Sequence, residues 1–203
     1  MRGRLLTTFF LVRHGAHSLL GRVLVGCKVD VPLDKAGLEQ TRALAERFSR
    51  ENISVVQSSP RQRAIQTASP IAECLKIEFD VEPAIDEIDC GEWSGRSFDE
   101  LSKQQSWHEW NHSRSTARPP GGESMAEVKQ RIITHLDRLW REHPNGRVVL
   151  VSHAEVIRAA ILHYSGLSPD AYSRIEIDPA AVSTLVVGER GVQVCAVNET
   201  AAP

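Results

Sequence analysis

Two stretches, Thr8-Phe-Phe-Leu-Val-Arg-His-Gly15 and Arg147-Val-Val-Leu-Val-Ser-His-Ala154, decide how this chain folds. Each is a short, uninterrupted run of branched and aromatic residues that ends abruptly in polar residues and a histidine. Unbroken apolar runs of this length fit strands covered on both faces, as in a parallel sheet with helices above and below.

Working outward, residues 34–50 carry helical spacing, with Leu38, Leu44, Ala45 and Phe48 on one side and Asp34 placed to cap the first turn. A strand over Ile53–Gln57 follows. Ser59 and Pro60 then read as N-cap and first position of a helix reaching about Leu75. Ile77–Val81 is a third strand, and residues 123–142 form a long amphipathic helix. After the strand at Arg147–Val151, Ser152 and Glu155 stand at capping-box spacing and open a helix that stops near Gly166. Val182–Val187 and Val192–Val197 pair as a hairpin around Glu189-Arg190-Gly191. The alternation predicts an α/β fold: a three-layer αβα sandwich around a mainly parallel sheet. The loop-rich stretch 82–122, with Trp93, Trp107 and Trp110, is then an insertion lying over the sheet as a lid, within a single domain spanning residues 1–203.

Composition narrows the function classes. The chain has 203 residues, is 41% hydrophobic, and has a formal net charge of −2. That is enough to build one sizeable core and too apolar for a disordered tail. No apolar run approaches the ~18 residues that cross a bilayer. A near-neutral balance argues against a nucleic-acid or anionic-membrane partner. Cys27, Cys74, Cys90 and Cys195 are far apart with no C-x-x-C pair, as in a protein with reduced thiols. Arg2 and Arg4 ahead of Leu5–Val12 mimic a leader, but Arg13-His14 ends the run with no small-residue cleavage site, so the expectation is a buried strand and a cytoplasmic protein.

In open parallel sheets, ligands bind beyond the carboxyl ends of the strands. Arg13-His14-Gly15 and Ser152-His153-Ala154 both stand there, which puts two histidines on one crevice. Arg61 and Arg63 fall in the first turn of the helix after the second strand, where a cation opposes the helix dipole unless an anion is bound between them. Arg63 is the better candidate for that anion, and Arg61 is expected to point into solvent.

Leu11-Val-Arg-His-Gly15, Ser58-Ser-Pro-Arg-Gln-Arg-Ala64 with Gln66-Thr-Ala68, Ile85-Asp-Glu-Ile-Asp-Cys-Gly91 with Trp93 and Gly95, and Val151-Ser-His-Ala154 resemble, in order, the signature blocks of the histidine phosphatase superfamily, with its phosphoglycerate-mutase-like fold. The resemblance implies a catalytic set of His14 as nucleophile, Arg13, Arg63 and His153 around the transferring phosphoryl group, and Glu87 as proton donor and acceptor. Asp86 and Asp89 are expected to be exposed loop carboxylates. Substrate contacts would come from Arg13, Gly15, Arg63 and Ala154. The family usually places an acidic or amide residue and then Thr or Ser after Arg-His-Gly, with an asparagine further on. Here stand Ala16, His17 and Leu19-Leu20, and Ala154 replaces a glycine. His17 and Arg22 are the candidates to replace the lost contacts.

Such a site needs no cofactor and no metal. Its partner would be a small phosphorylated metabolite, and the sequence leaves a homodimer open. Three functions compete: a phosphomonoesterase, a cofactor-dependent phosphoglycerate mutase using the same residues, and a catalytically dead phospho-ligand binder. The modest lid and the Glu87-Ile-Asp-Cys-Gly91 run resemble the phosphatase branch, towards the α-ribazole phosphatase and fructose-2,6-bisphosphatase side. A nucleophile retained with all its partners counts against mere binding.

Overall fold

A computed structural model describes residues 6–200; Arg2, Arg4 and Leu5 of the leader-like stretch lie outside them. The two deciding runs are adjacent strands, β1 (Leu6–Arg13) and β4 (Arg147–Ser152), and they pair in parallel with Arg13 opposite Ser152. With β2 (Val55–Ser58), β3 (Phe79–Val81), β5 (Val182–Gly188) and β6 (Gly191–Glu199) they form a six-stranded sheet in the order β3-β2-β4-β1-β5-β6. The β3, β2, β4 and β1 strands run parallel, and β5 joins β1 antiparallel, with β6 antiparallel to β5 as the expected hairpin.

Alternate residues of β1 serve opposite layers, as the two-residue period of a strand requires. Phe9 and Leu11 pack with α5 (Met125–Glu142) and α6 (Ala154–Tyr164), through Val128, Ile132, Leu136, Val156 and Ala160. Phe10 and Val12 pack with α1 (Lys35–Ser49) and α2 (Gln62–Leu75), through Leu44, Phe48, Ala68 and Ile71. The three-layer αβα sandwich is thus present.

Several local expectations are corrected. In α1, Asp34 caps the helix by accepting from the Gly37 N–H, but Leu38 is 45% exposed. The buried stripe is Gly37, Thr41, Leu44 and Phe48. It is set by Gly37, where an added Cβ would come within 2.1 Å of the Ala16 carbonyl, so α1 is pressed against the loop after β1 and Leu38 turns outward. α2 begins at Gln62 with Arg61 as an extended N-cap, not at Pro60 with Ser59. The Asp30 carboxylate accepts from the Gln62 N–H, while Ser59 donates its proton to Asp86 and accepts a long bond of 3.4 Å from the Arg61 N–H. β3 starts later than Ile77 because Lys76 adopts a left-handed cap, φ 56°, and the Ile77 N–H closes the helix end on the Ala72 carbonyl. α6 is capped by His153 without a side-chain bond. The Ser152 hydroxyl donates to the Ile85 carbonyl, and Glu155 pairs with Arg114 and Arg158, so the expected capping box is absent. α5 does carry a capping box, between Ser124 and Glu127.

Residues 82–122 hold two short helices, α3 (Phe98–Leu101) and α4 (Gln105–His112), and two 3₁₀ turns. Trp93 stands edge-on to Trp107 and Trp110 at 5.3 and 6.4 Å between ring centroids, and Trp93, Leu101 and Trp110 join the core on the α5 side. These tryptophans are packing residues. The segment closes on itself where Gly91, φ 55°, lies so close to Pro120 that an added Cβ would sit 2.0 Å from its carbonyl oxygen. Glycine is the residue that fits there.

Candidate active site

The parallel pairing of β1 and β4 brings the two histidines together. The His14 N–H bonds to the Ser152 carbonyl at 3.0 Å, so both chains turn out of the sheet side by side, and the His14 and His153 rings stand 5.2 Å apart between centroids. The Gly15 N–H donates to the Thr67 hydroxyl of α2, and the Ala16 N–H to the Gln40 carboxamide of α1. The loop carrying His14 is therefore held by both helices of one layer.

Hydrogen-bond partners assign the two imidazoles opposite tautomers. His14 Nδ1 lies 2.8 Å from the Gly15 carbonyl oxygen, which can only accept. The proton is then on Nδ1, and Nε2 keeps its lone pair. Arg63, which can only donate, lies 3.2 Å from His153 Nδ1, so in His153 the proton is on Nε2. Burial, reinforced by Arg63 and Arg13, holds His14 well below the ordinary histidine range, and burial together with Arg63 and His14 does the same for His153. Burial, more than the position of His153 at a helix start, keeps it neutral. Both rings are neutral imidazoles in the free protein.

Arg63 is 1% exposed, and it donates to the Gly26 carbonyl as well as to His153. Arg13 donates to the Ile177 carbonyl at 2.6 Å. Neither guanidinium has a carboxylate partner among the described ion pairs, and both Nε atoms are buried without a hydrogen bond. Glu87 Oε2 lies 3.7 Å from His153 Nδ1 and Oε1 accepts from the Ile88 N–H. Burial raises the Glu87 carboxyl above its ordinary range, against the pull of Arg63. Two guanidiniums without an ion-pair partner, orphaned donors and a carboxyl inclined to keep its proton are groups that could together receive an anion whose ester oxygen needs a proton.

His17, 5% exposed, belongs to this group: its ring is 5.3 Å from that of His14, its Nδ1 has no partner, and burial followed by Arg63 and Arg13 lowers it to about 4. Gly15 and Ala154 flank the two site histidines in sequence, with Ala154 at the first turn of α6. Arg22 is exposed and bonded to the Ser18 carbonyl, and no described hydrogen bond or ion pair joins it to the pocket. Arg61 is not solvent-directed, and Asp86 is not an exposed carboxylate. They pair at 3.0 Å, and Asp86 also accepts from the Ser59 hydroxyl. Asp89 does lie at the surface, paired with Lys28. Sequence reasoning missed this Ser59–Asp86–Arg61 group, because Ser59 followed by Pro60 carries the signature of a helix cap. All four cysteines are free thiols. Among the described residues, no cluster of His, Cys, Asp or Glu could hold a metal ion, and no helix is long and apolar enough to cross a membrane.

Fold and site together define an α/β protein with a mainly parallel sheet, whose strand ends gather two neutral histidines, two arginines without ion-pair partners and a carboxyl. The chain belongs to the histidine phosphatase superfamily (branch 1), whose family model matches residues 9–200. It is 32% identical over 174 residues to Phosphoserine phosphatase 1 of Hydrogenobacter thermophilus, covering 85% of this chain and 82% of that protein. It is 35% identical over 154 residues to Phosphoglycerate mutase-like protein 4 of Arabidopsis thaliana, covering 73% and 67%. Among solved structures it is similar to a histidine-to-alanine variant of the phosphoserine phosphatase of Entamoeba histolytica in complex with phosphoserine, with a TM-score of 0.84, 26% identity, and 95% and 97% of the two chains covered.

Proposed function

We propose that this protein is a phosphomonoesterase that hydrolyses a small phosphorylated metabolite through a phosphohistidine on His14. The observation that carries the reading is the pinned tautomer: with Nδ1–H on the Gly15 carbonyl, the lone pair of Nε2 is permanently available in a neutral ring. Nε2 attacks phosphorus as the ester P–O bond breaks, and protonated Glu87 gives its proton to the leaving oxygen. Water then attacks the phosphohistidine, Glu87 takes the water proton, and the N–P bond breaks to release phosphate and restore both groups. Arg13 and Arg63 offset charge on the equatorial oxygens, the main contribution a protein makes to phosphoryl transfer. His153 donates to the same oxygens once it is protonated, and His17 Nδ1, Gly15 and Ala154 line the same pocket. The chain acts as one domain, with residues 82–122 as the lid over the substrate.

The names of two similar proteins support a phosphorylated amino acid such as phosphoserine as the first substrate to try. A phosphoglycerate mutase is the second reading, favoured by the mutase-like relative. It would return the phosphoryl group to substrate instead of to water. Phosphate release from a panel of phosphorylated metabolites, with and without 2,3-bisphosphoglycerate, separates the two, because isomerisation without release selects the mutase. His14→Ala should abolish both turnover and the acid-labile phosphoenzyme. Full activity in that variant sinks the mechanism.

A further inference from the structure

The three residues on the far side of His153 form a connected chain. Ser59 Oγ lies 2.7 Å from His153 Nε2 and donates to Asp86 Oδ1 at 3.0 Å. The same Asp86 oxygen accepts from Arg61 Nε at 3.0 Å and from the Glu87 N–H at 2.7 Å. Because the Ser59 proton is committed to a carboxylate, Ser59 can only accept from His153, which requires a proton on Nε2. That is the tautomer Arg63 demands from the opposite edge of the ring. Two independent contacts thus turn Nδ1 toward Arg63 and Glu87, and Asp86 stands 3.9 Å behind Nε2.

We propose that Ser59 and Asp86 form a relay that fixes the ring and tautomer of His153 and supplies the countercharge on its far side, with Arg61 setting how much of that charge His153 feels. These are positioning residues, and the inference rests on the phosphatase reading of the pocket. In the free protein, His153 faces Arg63, His14, Arg13, Arg131, Glu87 and Asp86, and the cations and burial prevail. When a phosphoryl dianion occupies the pocket, the balance reverses. His153 then takes a proton on Nδ1 and donates it to a phosphoryl oxygen, while Nε2–H stays on Ser59 and Asp86 offsets the new charge. Asp86 also fixes the backbone of Glu87, so one carboxylate orients both the cation and the acid of the reaction.

The test is the pH dependence of kcat, which reports groups in the enzyme–substrate complex. Asp86→Asn keeps an acceptor and removes the charge, so the alkaline limb should move about one pH unit toward acid, with about a tenfold loss above it and near-normal turnover below. Arg61→Gln unmasks Asp86 and should move the limb the opposite way. Ser59→Thr should retain the wild-type profile, and Ser59→Ala should not. A uniform drop at every pH, or shifts of the same sign in Asp86→Asn and Arg61→Gln, overturns the relay in favour of a merely structural role. If the wild-type protein turns over neither phosphoserine nor p-nitrophenyl phosphate, the phosphatase reading fails on its own. The relay is then read from histidine nitrogen chemical shifts with orthophosphate bound: His153 should be doubly protonated to higher pH in wild type than in Asp86→Asn, and equal titration overturns it.

Discussion

The protein buries histidine in two places, and the two are built differently. On the α5 side of the sheet, His135 is almost fully enclosed, and each of its nitrogens is satisfied: Nε2 by the Gln57 carboxamide oxygen at 2.8 Å, Nδ1 by Arg138 at 3.0 Å. Arg138 is itself neutralised by Glu82 at 2.6 Å. At the strand ends, His17 Nδ1, Arg13 Nε and Arg63 Nε have no partner, and the two guanidiniums lack a carboxylate at ion-pair distance, with Glu87 the first charge each of them feels. Burying a polar group without a partner costs about 1–3 kcal/mol, and although single atoms of this kind occur elsewhere, at Ser94, Arg147 and Tyr164 among others, three of them gather at the strand ends. Burial alone therefore does not identify a functional histidine. Unspent hydrogen-bonding capacity gathered at one place is the better mark.

The contrast is broken most directly at the groups that distinguish the pocket. Glu87→Gln should lower turnover of an alkyl phosphate by about 10²–10⁴-fold, the range of general acid–base contributions. An aryl phosphate, whose leaving oxygen needs less protonation, should be slowed far less. Steady-state rates on a matched alkyl and aryl pair decide this, and equal slowing would remove Glu87 from the proton transfers. Arg63→Ala should lower kcat by about 10²–10³-fold, as for loss of one preorganised donor to a transition-state oxyanion. Orthophosphate should raise the melting midpoint of the wild-type protein by mass action, and Arg63→Ala should abolish that rise. If phosphate still stabilised the Arg63 variant to the same degree, the orphaned donors would not be the anion site.

How much of this was legible in the sequence follows the same division. The strands announced themselves because burial on both faces forces an unbroken apolar run, and their last residues marked the crevice. His14, Arg63 and His153 were thus placed by the sheet before any contact was known. What the sequence could not show is where a short polar side chain sends its one hydrogen bond. Ser59 and Ser152 read as caps because Ser beside a helix start usually caps, yet both are recruited by the 82–87 segment, to Asp86 and to the Ile85 carbonyl. Leu38 read as core because helical spacing carries no record of rotation about the axis, which here is set by the close approach of Gly37 to Ala16. Arg61 and Asp86 are 25 positions apart, and nothing local in either stretch declares their pairing.

The smallest expected effect sharpens the comparison from its structural side. His135→Ala leaves Gln57 Oε1 buried without a donor and should cost about 1–3 kcal/mol of stability with kcat preserved, read by urea unfolding and steady-state rates. Its pH dependence has a definite sign. Burial, aided by Arg138, holds His135 below the ordinary range despite the opposing pull of Glu82. The neutral form is therefore the folded one, its contribution is intact above the unfolded histidine pKa of ~6.5, and it is lost as pH falls through the lower folded value. The same holds for His17, lowered to about 4, and for His14 and His153. Wild-type stability should fall as pH drops from ~6.5 towards 4. The His135 variant should lose less across that window, because one of the groups that must charge is gone. Orthophosphate should restore part of the loss in both proteins alike, since a phosphate anion supplies the strand-end histidines with the partner they lack and offers His135 nothing. A phosphate effect that disappeared in the His135 variant would mean that the two clusters are coupled through β2 and do not divide the work as their hydrogen bonds indicate.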